Sequence, residues 1–178
     1  MVPITIPLMA GRNYISFSAI SSDNFGTIFT GIKANIIKFF TYDPVSGWTD
    51  VSDFEYIDEG RGYILDMATP GNIITYDGIE YALTFNQLKS RLIEGLNLVG
   101  PGYVPIIPPN WCRVLNADTN FPVTQLEPNK SYLIYYNDCI KPTVGVESVL
   151  GVIGAIGTIL FTIYLLREFR IIGKPIKD

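Results

Sequence analysis

Hydrophobic positions follow two different patterns along this chain. Up to about residue 141 they come in short runs, rich in β-branched and aromatic residues and punctuated by Gly, Pro, Asn and Asp; over 148–166 they merge into one stretch, SVLGVIGAIGTILFTIYLL, without charge or proline. Short runs bounded by turn residues read as strands, because a side-chain period of two covers a sheet face within a few residues. Strands are expected at 14–18, 36–42, 62–67, 73–76, 96–100, 112–116 and 132–137, with turns at Asp43-Pro44, Asp77-Gly78 and Pro101-Gly102. One short helix is expected over 84–92, where Phe85, Leu88 and Leu92 have helical spacing and Thr84 can cap. The expected fold class is an all-β ectodomain, built as two small β-barrel or β-sandwich repeats, plus one C-terminal transmembrane α-helix.

The apolar stretch would rise about 28 Å as a helix, close to the thickness of a bilayer's hydrocarbon core. Arg167, Arg170, Lys174 and Lys177 follow it, against Glu168 and Asp178, so the positive-inside rule puts the tail inside and the N-terminal domain outside. Within the stretch, Ser148, Gly151, Gly154, Ala155, Thr158 and Thr162 share one helical face, which suits close helix–helix packing in lipid. The opening MVPITIPLMAG has neither a basic n-region nor a long apolar h-region, so either a leader has been removed or, the favoured expectation, the C-terminal helix is itself the targeting signal.

Three blocks recur in the same order. Leu8-Met-Ala-Gly-Arg-Asn-Tyr-Ile-Ser16 aligns with Leu92-Ile-Glu-Gly-Leu-Asn-Leu-Val-Gly100, and Ile37-Lys-Phe-Phe-Thr41 with Cys112-Arg-Val-Leu-Asn116. Asp58-Glu-Gly-Arg-Gly-Tyr-Ile-Leu65 aligns with Glu127-Pro-Asn-Lys-Ser-Tyr-Leu-Ile134. Such self-similarity predicts a duplication with its seam near 84–92. The expected organisation is a first β repeat at 1–83, a second at 84–142, the transmembrane helix at 143–167 and a basic inner tail at 168–178. The blocks resemble a repeat of archaeal and bacterial surface proteins, written L-x-x-G-W-N-L-[IV]-S, then a strand ending near Y-D, then [LE]-x-x-G-x-G-Y-W-[IV]. Arg12 and Leu96 stand where that repeat has Trp, and its Gly-Tyr-Trp step is Gly62-Tyr63-Ile64 and Ser131-Tyr132-Leu133 here. The resemblance implies a compact β module for display and assembly, with no catalytic centre to carry over.

Composition narrows the chemistry. The 178 residues include no histidine, which excludes Ser-His-Asp triads and His-ligated zinc or haem. A net charge of −4 offers no basic footprint for nucleic acid. No cofactor is expected. Cys112 and Cys139 are the only cysteines; a disulfide closing about 28 residues would stabilise by roughly 3.5 kcal/mol, the alternative being two buried thiols. The run from Asp50 to Glu59 gathers Asp50, Asp53, Glu55, Asp58 and Glu59, which could offer oxygen ligands to Ca²⁺ or a carboxylate pair. Alternation of Phe54 and Tyr56 with Asp53 and Glu55 favours a half-buried strand with a charged outer face. Tyr132, Tyr135 and Tyr136 cluster in one expected strand, either as core or as a binding face. The rigid segment Pro101 to Pro109 is expected to be an exposed loop packing on a neighbouring subunit.

These features point away from an enzyme. The expected function is that of a structural, membrane-anchored envelope protein, a virion or tail component of an archaeal virus, with the lipid membrane and other copies or envelope proteins as partners. The alternative is a cell-surface adhesin or glycan- or protein-binding module.

Overall fold

Alternation along Ile73–Glu80 leaves Ile74, Tyr76 and Gly78 buried and Ile73, Thr75, Asp77 and Ile79 exposed, the signature of a strand with one wet face. In the computed structural model, which describes residues 1–139, this strand is β7. The other strands are β1 (Val2–Pro7), β2 (Gly11–Ser16), β3 (Ala19–Ile20), β4 (Ile36–Asp43), β5 (Gly47–Asp50), β6 (Gly62–Met67), β8 (Leu96–Val99), β9 (Val114–Asn116) and β10 (Tyr132–Tyr135). Two short helices, α1 (Phe25–Ile28) and α2 (Phe85–Ser90), and two 3₁₀ turns, Lys33–Asn35 and Tyr136–Cys139, complete the described elements.

The strands form three antiparallel sheets, ordered β1-β7-β3, β2-β6-β4-β5 and β8-β10-β9. The mostly-β expectation holds, but no sheet among the described residues closes into a barrel. The first two sheets share one core, in which Ile4, Ile6, Ile74 and Tyr76 meet Ile15, Phe39, Tyr63 and Leu65, with Phe25 and Phe29 of the α1 region filling the end. Central β6 is buried on both faces: Tyr63, Leu65 and Met67 point into this core and Ile64 into another. The third sheet has its own core, where Val99, Val114, Tyr132 and Ile134 meet Leu88 and Leu92 and the loop residues Ile106 and Leu126. Helix α2 starts where expected, with Thr84 and Gln87 forming a reciprocal capping box.

Several local expectations need correction. Asp77-Gly78 is no turn: β7 runs through it, pairing Gly78 with Val2 and Ile79 with Ile20. Strand β1 is an addition to the expected set; its Pro3 and Pro7 are tolerated because β1 is an edge strand. Cys112 and Arg113 precede β9 rather than belonging to it, and the chain after Tyr135 turns into the 3₁₀ segment. The transmembrane helix, the packing face from Ser148 to Thr162, and Arg167, Arg170, Lys174 and Lys177 lie outside the described residues. Among the described residues no helix is long and apolar enough to cross a membrane.

Candidate functional site

The blocks that match in sequence occupy matching places. The order β2-β6-β4 is repeated as β8-β10-β9, and the register agrees residue by residue: Ile15 faces Tyr63 as Val99 faces Tyr132, and Asn13 faces Leu65 as Asn97 faces Ile134. Asn13, buried, accepts from Met9 N–H (2.8 Å) and donates to the carbonyls of Met9 (2.9 Å) and Gly11 (3.0 Å). Asn97 repeats this with Ile93 N–H (3.0 Å) and the carbonyls of Ile93 (2.8 Å) and Gly95 (3.0 Å). Both turns pass through a glycine at positive φ, Gly11 at 81° and Gly95 at 105°, a conformation other residues adopt only with strain. The hydroxyls of Tyr63 and Tyr132 each accept from the backbone N–H five residues earlier, Asp58 (3.2 Å) and Glu127 (2.7 Å). Burial pushes both phenols above their ordinary range, the backbone bonds opposing.

The two sets cross at small residues. Ser16 lies against Gly100 and Ser131 against Gly62, and these are aligned partners with serine and glycine exchanged. A Cβ at Gly62 would sit 2.7 Å from Ser131 Oγ, and one at Gly100 would run into the Ser16 side chain. Ser16 Oγ donates to Lys130 C=O (3.0 Å), Ser131 Oγ donates to Ile15 C=O and accepts from Tyr63 N–H (3.2 Å), and Arg61 bridges Val99. Beside the crossing, Phe40 and Ile64 pack with Leu98 and Ala117, flanked by Tyr14 and Leu133. Two clefts flank it, of about 320 and 350 Å³. The first joins the Asp58–Arg61 turn to Arg91 and Leu98, the second joins Arg12 and Tyr14 to the Pro128–Ser131 turn, so they too correspond. In the first, Arg61 pairs with Asp58 (3.0 Å) and Arg91 with Glu59; in the second, the buried Oδ1 of Asn129 has no partner among the described residues.

The acidic run is a loop, not a half-buried strand. Phe54 and Tyr56 are exposed, at 83% and 59%, and Ile57 is the buried anchor. Its backbone is used to hold α1, for the carbonyls of Asp53 and Glu55 accept from Gly26 N–H (2.8 Å) and Phe25 N–H (2.9 Å). Its carboxylates are separately engaged: Asp50 with Lys38 (3.4 Å), Asp53 with Lys33, Asp58 with Arg61, Glu59 with Arg91, and Glu55 with the N–H of Ser52 (2.7 Å). No cluster of metal-ligating side chains occurs among the described residues.

At the other end of the third sheet, Cys112 and Cys139 are at disulfide distance, their Cα atoms 4.2 Å apart. Tyr132 is core, Tyr136 packs at its edge, and Tyr135 is exposed, so the expected tyrosine cluster divides between core and surface. The segment after Pro101 is partly anchored, since Ile106 is buried and bonds both ways with Leu126 (3.0 and 2.8 Å), while Ile107 is 73% exposed. The crossing residues and the buried asparagines are absent from the candidate set read from sequence. The asparagines do leave a signal in the sequence: the aligned blocks keep four identities, Leu8 with Leu92, Gly11 with Gly95, Asn13 with Asn97 and Tyr63 with Tyr132. No family model matches the chain, and no curated protein or solved structure matches it.

Proposed function

We propose that this chain is a structural, membrane-anchored surface protein, a component of an envelope or tail of an archaeal virus particle. One observation carries the reading: a β unit of two interlocked strand sets is followed in the sequence by an uncharged apolar stretch at 148–166 and then a basic tail. The interlocking at Ser16, Gly62, Gly100 and Ser131 suits a load-bearing display module, because it ties the sets through backbone and small side chains rather than through mobile charged pairs. The resemblance to the duplicated surface-protein repeat supports the same role. Quantitative mass spectrometry of purified envelopes tests it: many copies per particle are expected, and trace amounts would overturn the reading. Self-association through the small-residue face is tested by Gly151→Leu with Ala155→Leu, which should shrink the oligomer in mild detergent without changing circular dichroism.

A second reading, an adhesin or partner-binding module, is favoured by the exposed Phe54 and Tyr56 on a loop fastened to α1. Saturable glycan binding by a monomeric chain, lost in Phe54→Ser, would select it over the first.

A further inference from the structure

Exposed apolar residues occur on the two loops beside Cys112. Ile107 and Phe121 are 73% and 72% exposed and Trp111 is 37% exposed. Ile107, Pro108, Pro109, Trp111, Pro122 and Val123 line a shallow depression of about 580 Å³. Trp111 meets Phe85 edge-on at 6.4 Å between ring centroids, and Lys89 Nζ lies 5.2 Å from the Trp111 ring centroid. Among the described residues neither Lys89 nor Arg113 forms an ion pair.

Cys112, next to Trp111, is at disulfide distance from Cys139. The loop that carries the aromatic and the prolines is therefore held beside Cys139. Ser148 follows Cys139 by nine residues, a reach of about 30 Å when fully extended. If 148–166 spans a bilayer, this end of the ectodomain cannot be farther from the headgroups than that tether. Tryptophan flanked by lysine and arginine, with an apolar body and a polar edge, is the chemistry that partitions to the headgroup layer.

We propose that the pole formed by Ile107, the proline pair, Trp111 and Phe121 seats in the headgroup layer of the bilayer that holds the chain's own apolar stretch. The inference rests on the membrane-anchored reading and adds an orientation to it: the ectodomain lies against the lipid through the 106–113 loop instead of standing free on its tether. Desolvation of the exposed Ile107 and Phe121 favours this seat, while Lys89 and Arg113 reach the lipid phosphates.

The test uses the full chain with Trp48→Phe, which leaves Trp111 as the sole tryptophan. It is reconstituted into phosphatidylcholine vesicles carrying a nitroxide at a shallow or at a deep acyl position. Flotation after an alkaline wash reports the anchor, and Trp111 emission reports the pole. Retention together with at least about twofold quenching, stronger from the shallow nitroxide, is the expected result; Ile107→Asp, at an exposed site that folding does not need, should reduce the quenching. Retention with unquenched emission overturns the seat and leaves the anchor standing. Unquenched emission that shifts to the red when oligomers are dissociated shows a second copy covering the pole, and also overturns it. A chain washed off the vesicles overturns the anchor and the seat together. Trp48→Tyr replaces Trp48→Phe if the latter misfolds.

Discussion

The two strand sets share a hydrogen-bonded frame and differ in what stands behind it. Behind β2-β6-β4 lies the sheet β1-β7-β3, and the space between is filled by Phe17, Phe25, Phe29, Phe39, Tyr63 and Tyr76 in mutual contact, ring centroids about 5 Å apart as in Phe25–Phe39 (4.9 Å). Behind β8-β10-β9 no second sheet stands among the described residues; α2 and two loops supply Leu88, Ile106 and Leu126, and Cys112 faces Cys139. The comparison separates two jobs. The frame, made of Asn13 or Asn97, Gly11 or Gly95, and Tyr63 or Tyr132, fixes turn geometry and register and is kept. The filling supplies hydrophobic stabilisation and is replaceable, with a cross-link where the apolar volume is small.

The largest effect is expected where the sets cross. Gly100→Ala should cost about 4 kcal/mol or more, at the upper end of overpacking, because the new methyl would overlap the Ser16 Cβ between paired strands. Gly62→Ala, at the equivalent crossing, should cost a comparable amount. The sharper form is a rescue: Gly100→Ala with Ser16→Gly moves the side chain across the crossing and should recover at least about half the loss. Denaturant unfolding of the detergent-solubilised full chain measures all three, and additivity in the double variant would show that the two residues do not meet.

Next comes the covalent difference. Cys139→Ser should destabilise by about 3.5 kcal/mol in the chain-entropy account. Hydrogen exchange should show the loss mainly in β8 and β10, with β2 and β6 keeping more of their protection. Alkylation of both cysteines without reductant would remove the basis for this expectation.

A smaller contrast lies in the frame itself. Asn13 Nδ2 also donates to Leu65 C=O at 3.2 Å, a bond Asn97 does not repeat. Asn13→Ala and Asn97→Ala should each cost about 2–3 kcal/mol, the first more by about 1 kcal/mol, since each leaves buried backbone groups unpaired. Equal losses would show that the fourth bond adds nothing.

Legibility in the sequence followed how local each determinant is. Residues 62–67 were readable because a strand buried on both faces is an apolar run between turn residues, and α2 was readable from Thr84 with its helical spacing. β1 was obscured by Pro3 and Pro7, which argue against a strand unless it is known to be an edge, a fact that depends on the pairing with β7. The acidic loop imitated a strand because Phe54 and Tyr56 alternate with carboxylates; what prevents one is the demand of α1's N–H groups for the carbonyls of Asp53 and Glu55, more than twenty residues away in sequence. The crossing was hidden for the same reason, since Ser16 touches Gly100 and Ser131 touches Gly62 over long separations. Of the candidate surfaces, the Pro101 to Pro109 segment stood out in sequence, but the meeting of its end with Pro122 and Val123, and of Cys112 with Cys139, belongs to tertiary structure.

The smallest expected effect concerns the two frame tyrosines at alkaline pH. Burial raises the phenol of Tyr63 in the native chain, and that of Tyr132 likewise. An unfolded tyrosine ionises near pH 10, so above that pH the unfolded chain gives up protons that the native chain still holds. Stability from these groups is therefore complete below about pH 10 and falls as pH rises through the raised native values, by at most about 1.4 kcal/mol per pH unit for each phenol. Tyr63 sits among Phe17, Phe25 and Phe39, where a phenolate would be least solvated, while Tyr132 lies in the thinner core of the third sheet. Tyr63→Phe should accordingly flatten the alkaline fall more than Tyr132→Phe, and each should cost about 1 kcal/mol at neutral pH for the lost bond from Asp58 or Glu127 N–H. Denaturation midpoints measured from neutral pH to about pH 11 separate the two contributions. A steeper flattening in Tyr132→Phe would mean that the cross-linked half, not the aromatic-filled half, encloses its tyrosine more tightly, and the division of labour between frame and filling would have to be redrawn.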